Sequence, residues 1–424
     1  MQNMFSHNGK ISEKQLRRML VLSVFAGTIF VIPYLAAHLF ETSIVPGLLV
    51  FFLFACIYVI YIYGFERYYR KKASCKGKNG KDESGEYGVA PQGIVISAKD
   101  EGVPGKLFIV IQVARLIIRL AFYVVLAIAI MGEAQIPFMP GKGFGNAANL
   151  LVVLPLLLVA IYGANVSGKE NRREESVKRE SLCLGIEKQG RIYEMIFWVL
   201  FVPFTLVILL GAGEVDYTVF LPHLGMSMGK LLLCGYMLLT FLLPVENYLY
   251  LRPFLRVPRA LEGDKTAEEK RGKYSGTRSF FAILITVFFM VILSLLLIGI
   301  YGVKGAGQEE MVTIAIMRYI RLPFGVLERF DVLMLWFFMT GCFVLICQTL
   351  YLSGYLLSQV FPKIKRIYLL GAVVILVLAA VAFLPEYSVV LSFFLRYGAY
   401  ADVPLSIIMP LLGFVFLRDE SGKK

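Results

Sequence analysis

Long apolar runs separated by short polar stretches constrain this chain more than any other feature in it. A helix needs about 20 apolar residues to cross the hydrocarbon core of a bilayer. Ten segments meet or approach that length: Met19–Leu39, Ile44–Tyr63, Leu107–Met131, Leu150–Ala164, Ile192–Gly211, Lys230–Tyr248, Phe280–Tyr301, Val332–Leu357, Ile367–Leu384 and Val403–Leu417. The first follows Lys14, Arg17 and Arg18, as a signal peptide would, but it is too long for one and reads as an uncleaved span. With only 17% charged residues in 424 and a mean hydropathy of +0.71, the chain lacks the polar surface of a soluble protein. The expected fold class is an all-α polytopic membrane protein with ten transmembrane helices, one transmembrane domain over residues 1–424.

The net charge of +13 is distributed by loop. If the N-terminus is cytoplasmic, the cytoplasmic segments hold 34 of the 43 Lys and Arg, the outer segments hold 7, and Arg115 and Arg119 fall within span three. That bias predicts cytoplasmic N- and C-termini. The basic loops are then topology signals and contacts to anionic lipid in the bilayer, not a nucleic-acid surface. The polar stretches Glu66–Lys106, Gly168–Gly190 and Arg252–Arg278 read as linkers, the last two with short surface helices as the alternative. Outside, Glu309–Leu322 has apolar residues at helical spacing and is expected to lie as an amphipathic helix on the extracellular mouth.

The chemistry of soluble enzymes has no footing here. His7, His38 and His223 lack metal-ligand spacing, the six cysteines form no CxxC pair, and no glycine loop with a following Lys-Ser/Thr cradles a phosphate. No cofactor, metal or catalytic residue is expected. The remaining functional class is binding and movement of a small molecule within the bilayer.

Ten spans divide as five plus five, and an odd number per half forces the halves to be inverted, with repeats of about 15–212 and 229–418. Spans one and six are then equivalent, and both carry Gly near the middle and Pro beyond it: Gly27 and Pro33, Gly235 and Pro244. A break there frees backbone groups that can bind a polar ligand if they line a cavity. The outer half of span one, starting near Thr28, would offer N–H groups and a positive dipole end to a carboxylate. The outer half of span six, ending near Gly235, would offer carbonyls to an ammonium. A zwitterion such as a free amino acid satisfies both, and the candidate substrate-binding residues are Ala26, Gly27, Thr28, Ile29, Cys234, Gly235 and Tyr236. Gly27 tolerates an unwound backbone, Thr28 can cap the following half-helix, and Pro33 is accessory. Close packing against another span is the competing role for Gly27.

Ile11-Ser12-Glu13-Lys14-Gln15-Leu16 running into Ala26-Gly27-Thr28-Ile29-Phe30 and Pro33 resembles the opening of the spore germination B-subunit family. Gly185-Ile186-Glu187 with Arg191 and Glu194 is similar to the start of that family's span five, and Leu327-Glu328-Arg329-Phe330-Asp331 with Trp336 to the start of its span eight. The long loops before span three and after spans four and six depart from it. The resemblance places the chain in the amino acid–polyamine–organocation superfamily. It implies a LeuT-type five-plus-five inverted repeat, residence in a bacterial inner membrane, cytoplasmic or spore, and binding of amino acids or similar germinants, either transported or sensed beside other germinant-receptor subunits.

The ionisable residues inside the spans are few. Arg115 and Arg119 share one face of span three; snorkelling to the cytoplasmic interface is the plain reading. Arg119, and Glu246 near the inner end of span six, are the candidates for gating or coupling. Glu328, Arg329 and Asp331 read as an outer interfacial cluster. Span five carries no Lys in its apolar part, and a sodium site would draw on Thr340 and Thr349 of span eight for hydroxyls. Phe25, Tyr123 and Tyr236 either line the cavity or pack.

Overall fold

The structure, a computed structural model, describes residues 11–76, 103–133, 225–255, 265–309, 311–319, 330–384 and 386–419, with parts of 154–220. Among these residues it is helical throughout, with a single isolated β-bridge. Span one is two helices, α1 (Glu13–Thr28) and α2 (Ile32–Phe40). Ser12 opens α1 with a capping box: its hydroxyl accepts from Gln15 N (3.2 Å) while the Gln15 amide oxygen accepts from Ser12 N (2.9 Å). Then follow α3 (Ile44–Lys76) and α4 (Val103–Glu133). Span six comprises α5 (Met228–Leu238), a 3-10 stretch Leu239–Glu246, and α6 (Asn247–Leu251). After it come α7 (Lys265–Gln308), α8 (Val312–Tyr319), α9 (Phe330–Val360) and α10 (Arg366–Phe383). The segment expected as span ten is α11 (Tyr387–Tyr397), a π turn Gly398–Asp402, and α12 (Val403–Asp419).

Six described helical stretches are long and apolar enough to cross a membrane. Their burial divides them by position. In Pro104–Gly132 and Phe337–Val360, 78% of the most apolar stretch is buried, against 33% in Arg366–Phe383. The α4–α9 pair therefore forms the centre and α10 the rim. The rim helices face outward with stripes at 3–4-residue spacing: Leu49, Leu53, Ile57 and Ile60 on α3, and Phe281, Ile285, Phe288 and Ile292 on α7. In water such stripes would be a liability; in lipid they are the solvated face.

Several boundaries differ from the sequence reading. Span two continues as helix to Lys76, and the tenth span begins at Tyr387 rather than Val403. Ala267–Arg271 belongs to α7, which turns at Gly302 (φ 71°), a backbone conformation that glycine adopts without a Cβ clash. The helix expected on the extracellular mouth is present as α8, but Met311–Ile314 are buried within the protein, not laid on its surface. Of span four only residues 154, 157, 158, 160 and 161 are described, as helix. His7, His223, Cys183 and Glu328–Arg329 lie outside the described residues, as do the side chains of Cys75, Asp331 and Trp336.

Candidate functional site

Span one breaks between Thr28 and Ile32, and the reason lies downstream. Pro33, the second residue of α2, has no N–H to donate, and its ring collides with the carbonyl four residues back in a continuous helix. That carbonyl belongs to Ile29. Span six has the same device: Pro244 sits inside the 3-10 stretch, four residues after Thr240. Proline, rather than Gly27 or Gly235, therefore sets each interruption, and Pro33 is more than accessory.

The two breaks face each other. A Cβ on Gly27 would stand 3.8 Å from the Phe241 carbonyl oxygen and 4.0 Å from Leu345 of α9. Ala26 packs on Gly341 of α9, where an added Cβ would stand 3.2 Å from the Ala26 methyl. Ile29 N donates to Phe25 O (3.0 Å) and Val31 N to Thr28 O (3.2 Å), while α2 opens at Val31 with no side-chain cap. Thr28 does not supply one. Its hydroxyl turns back to Val24 O (2.7 Å) and Phe25 O (3.2 Å), a bond that a hydroxyl on a helix makes readily.

The candidates of span six lie one turn too early. Cys234, Gly235 and Tyr236 are all within α5, before the irregular stretch begins. Gly235 packs on α3: a Cβ there would come within 2.7 Å of Val50 Cγ1 and 3.3 Å of Phe51 N. Cys234 Sγ donates to Leu39 O (3.8 Å), and Tyr236 OH donates to Ala399 O (2.9 Å) in the π turn. The residue of the irregular stretch recorded beside span one is instead Phe241, next to Thr240. Thr240 is buried, its Oγ1 has no hydrogen-bond partner among the described residues, and its side chain presses on Gly398. Phe25 packs among Phe201 (4.9 Å) and Phe289 (6.4 Å). His38 stacks on Tyr34.

Beneath the breaks lies a charge network that the sequence reading did not assemble. Arg115 and Arg119 do not snorkel; both are buried in the protein. Arg115 Nε donates to Asp402 Oδ1 (2.6 Å), its Nη1 to Gln112 Oε1 (2.6 Å), and its Nη2 to Glu246 Oε2 (3.0 Å) and Asp402 O (3.2 Å). Arg119 Nε donates to Asp402 Oδ2 (2.7 Å), Nη1 to Glu246 Oε1 (2.7 Å), and Nη2 to Asp402 Oδ1 (3.0 Å). Gln112 Nε2 completes it on Glu246 Oε1 (3.2 Å). The two positive and two negative charges cancel, which permits burial at this depth. Both carboxylates come from irregular backbone, Glu246 ending the 3-10 stretch and Asp402 ending the π turn. Asp402 escaped the sequence reading because it stood one residue before the assigned tenth span. Its signal was an acid at the edge of an apolar run, in a chain with two intramembrane arginines to satisfy.

Polar contacts lie on either side of the breaks. On one, Thr313 Oγ1 of α8 donates to Ile29 O (2.8 Å), the carbonyl that Pro33 displaces. On the other, Ile11 N donates to Phe254 O (2.9 Å), Arg18 pairs with Glu194, and Arg252 pairs with Glu66 (3.4 Å). Ser23 donates to Gln348 Oε1 between α1 and α9; Thr349 is buried there. Among the described residues no cluster of His, Cys, Asp and Glu could hold a metal ion. A groove of about 390 Å³ between α3 and α12, lined by Ile60, Tyr61, Gly64, Phe65, Tyr68 and Leu411, includes no residue of either break.

Two broken helices facing each other at the core of an all-helical membrane protein define a LeuT-type transporter fold. Mhp1, a nucleobase-cation-symport-1 family transporter solved in a closed conformation with bromovinylhydantoin bound, superposes with a TM-score of 0.59 at 13% identity. The match covers 93% of this chain and 77% of Mhp1. Residues 181–388 match the family model of the spore permeases, described as spore germination protein, and the motifs of spans five and eight fall within them. No curated protein matches the chain. Fold and family match together are those of an integral membrane permease.

Proposed function

We propose that this permease binds a free amino acid, or a similar zwitterionic germinant, between the breaks of spans one and six and moves it by alternating access. It is not an enzyme. The observation that carries the reading is the approach of Gly27, one residue before α1 ends, to Phe241 O of the 3-10 stretch, which sets the interruption of span one beside that of span six. The ligand carboxylate meets the main chain of Ala26–Ile29 and the uncapped start of α2, where N–H groups and the helix dipole favour an anion. The ammonium meets carbonyls of the 3-10 stretch after Cys234, Gly235 and Tyr236, with the Thr240 hydroxyl as a further partner. The protein sits in a bacterial inner membrane with both termini cytoplasmic, and its halves, about 15–212 and 229–418, are the inverted repeats.

Uptake of labelled amino acids into proteoliposomes tests this reading. Saturable uptake of a substrate that also binds the detergent-purified protein supports it. Binding without uptake would favour a germinant-receptor subunit that signals to partner subunits, and neither binding nor uptake of any amino acid would reject the ligand class.

A further inference from the structure

We infer that Arg115 and Arg119 are resident counter-cations, holding between Glu246 and Asp402 the place that a coupling sodium ion or proton would otherwise take. This deepens the permease reading above, since it concerns what drives that site.

Glu246 and Asp402 come from two different spans, each at the end of an irregular stretch, so a cation between them would be positioned to sense movement of span six against span ten. Two guanidinium groups already occupy that position. Every carboxylate oxygen accepts at least one N–H: Glu246 Oε1 from Arg119 and Gln112, Oε2 from Arg115, Asp402 Oδ1 from both arginines, and Oδ2 from Arg119. An added cation would find no unshared carboxylate oxygen and would meet two positive charges.

Arginine keeps its charge throughout the physiological range, unlike a buried lysine. The neutralising charge is therefore constant, whereas a bound proton or sodium ion would come and go. The other ionisable groups that interact with the network are Tyr58 of α3, Tyr123 of α4, Tyr250 of α6 and Tyr397 of α11, with Cys342 of α9 beyond Tyr123. Phenols and thiols are ordinarily neutral below about pH 8. No His or Lys takes part in the described ion pairs of this network.

A thermal-unfolding experiment on purified protein tests this without any substrate, so it stands or falls separately from the amino-acid reading. Melting temperature is measured in sodium and in choline chloride at equal ionic strength, from pH 5.5 to 8.0, for wild type, for Arg119→Gln and for the charge-balanced Arg119→Gln/Asp402→Asn. Wild type and the double variant should respond alike to sodium and acid. Arg119→Gln leaves one carboxylate uncompensated, and sodium or acid should raise its melting temperature by several degrees beyond any change in wild type. A sodium or acid stabilisation present in wild type and absent from the double variant overturns the inference, as does an Arg119→Gln protein that responds no differently from wild type. If Arg119→Gln does not fold, wild type against the double variant decides by the same criterion.

Discussion

The hydroxyl of Thr313 donates to the carbonyl of Ile29 across 2.8 Å, joining a helix from between spans seven and eight to the break in span one. Pro33 makes that bond necessary. By removing the N–H that would have met Ile29 O in a continuous helix, it leaves a buried acceptor for which α8 supplies the donor. Thr313→Val keeps the shape and removes the donor. The orphaned carbonyl should cost about 1–3 kcal/mol, read as a lower melting temperature with faster amide hydrogen exchange in α8. Unchanged stability and exchange would mean that the bond does not hold α8 in place.

Pro33→Ala restores an N–H at the position that interrupts span one. The break should shorten, because the new donor competes with Thr313 for Ile29 O. Amide exchange over residues 29–34 should slow while amino-acid affinity falls at least tenfold, about 1.4 kcal/mol. Retained affinity together with slowed exchange would show that the break is not needed for binding.

The Thr28 hydroxyl donates its only proton to helix carbonyls. A carboxylate ligand needs donors, so Thr28→Val should change affinity by less than about threefold, under 1 kcal/mol. A loss of tenfold or more in a folded protein would instead give the side chain a direct role.

Three glycines separate packing from binding. Gly398→Ala places a methyl inside the volume of the Thr240 side chain and Gly235→Ala places one 2.7 Å from Val50 Cγ1. Each should lower stability by about 1–3 kcal/mol, as overpacked cores do. Gly27→Ala meets nothing nearer than 3.8 Å and should fold with near wild-type stability, checked by the same melting measurement. Equal losses at all three would make Gly27 another packing glycine.

The 34-to-7 division of basic residues predicts that Cys75 and Cys183 face the cytoplasm. A membrane-impermeant thiol reagent on intact cells should label neither, and both should react after permeabilisation. Strong labelling of Cys75 in intact cells would reverse the orientation.

Much of this architecture was legible because bilayers impose a simple rule: the length of each apolar run can be read residue by residue. The breaks were legible too, since Gly and Pro mark them, but their position was displaced by several residues. Gly27 and Gly235 drew attention as permissive residues, whereas the constraint came from Pro33 and Pro244, acting on carbonyls four residues earlier. What no linear reading could supply was partnership. Glu246 and Asp402 are 131 and 287 residues away from Arg115, and only packing of spans three, six and ten closes that network. The π turn that orients Asp402 has no composition signature of its own.

The central claim, amino-acid binding between the two breaks, is tested most directly by ligand-induced thermal shift on wild type and Gly27→Val. The valine methyls would press on Phe241 O, which a Cβ alone already meets in van der Waals contact at 3.8 Å. The account predicts that at least one free amino acid raises the melting temperature of wild type and that the increment is lost in folded Gly27→Val. An increment of undiminished size in the variant, or no response of wild type to any amino acid, would contradict it.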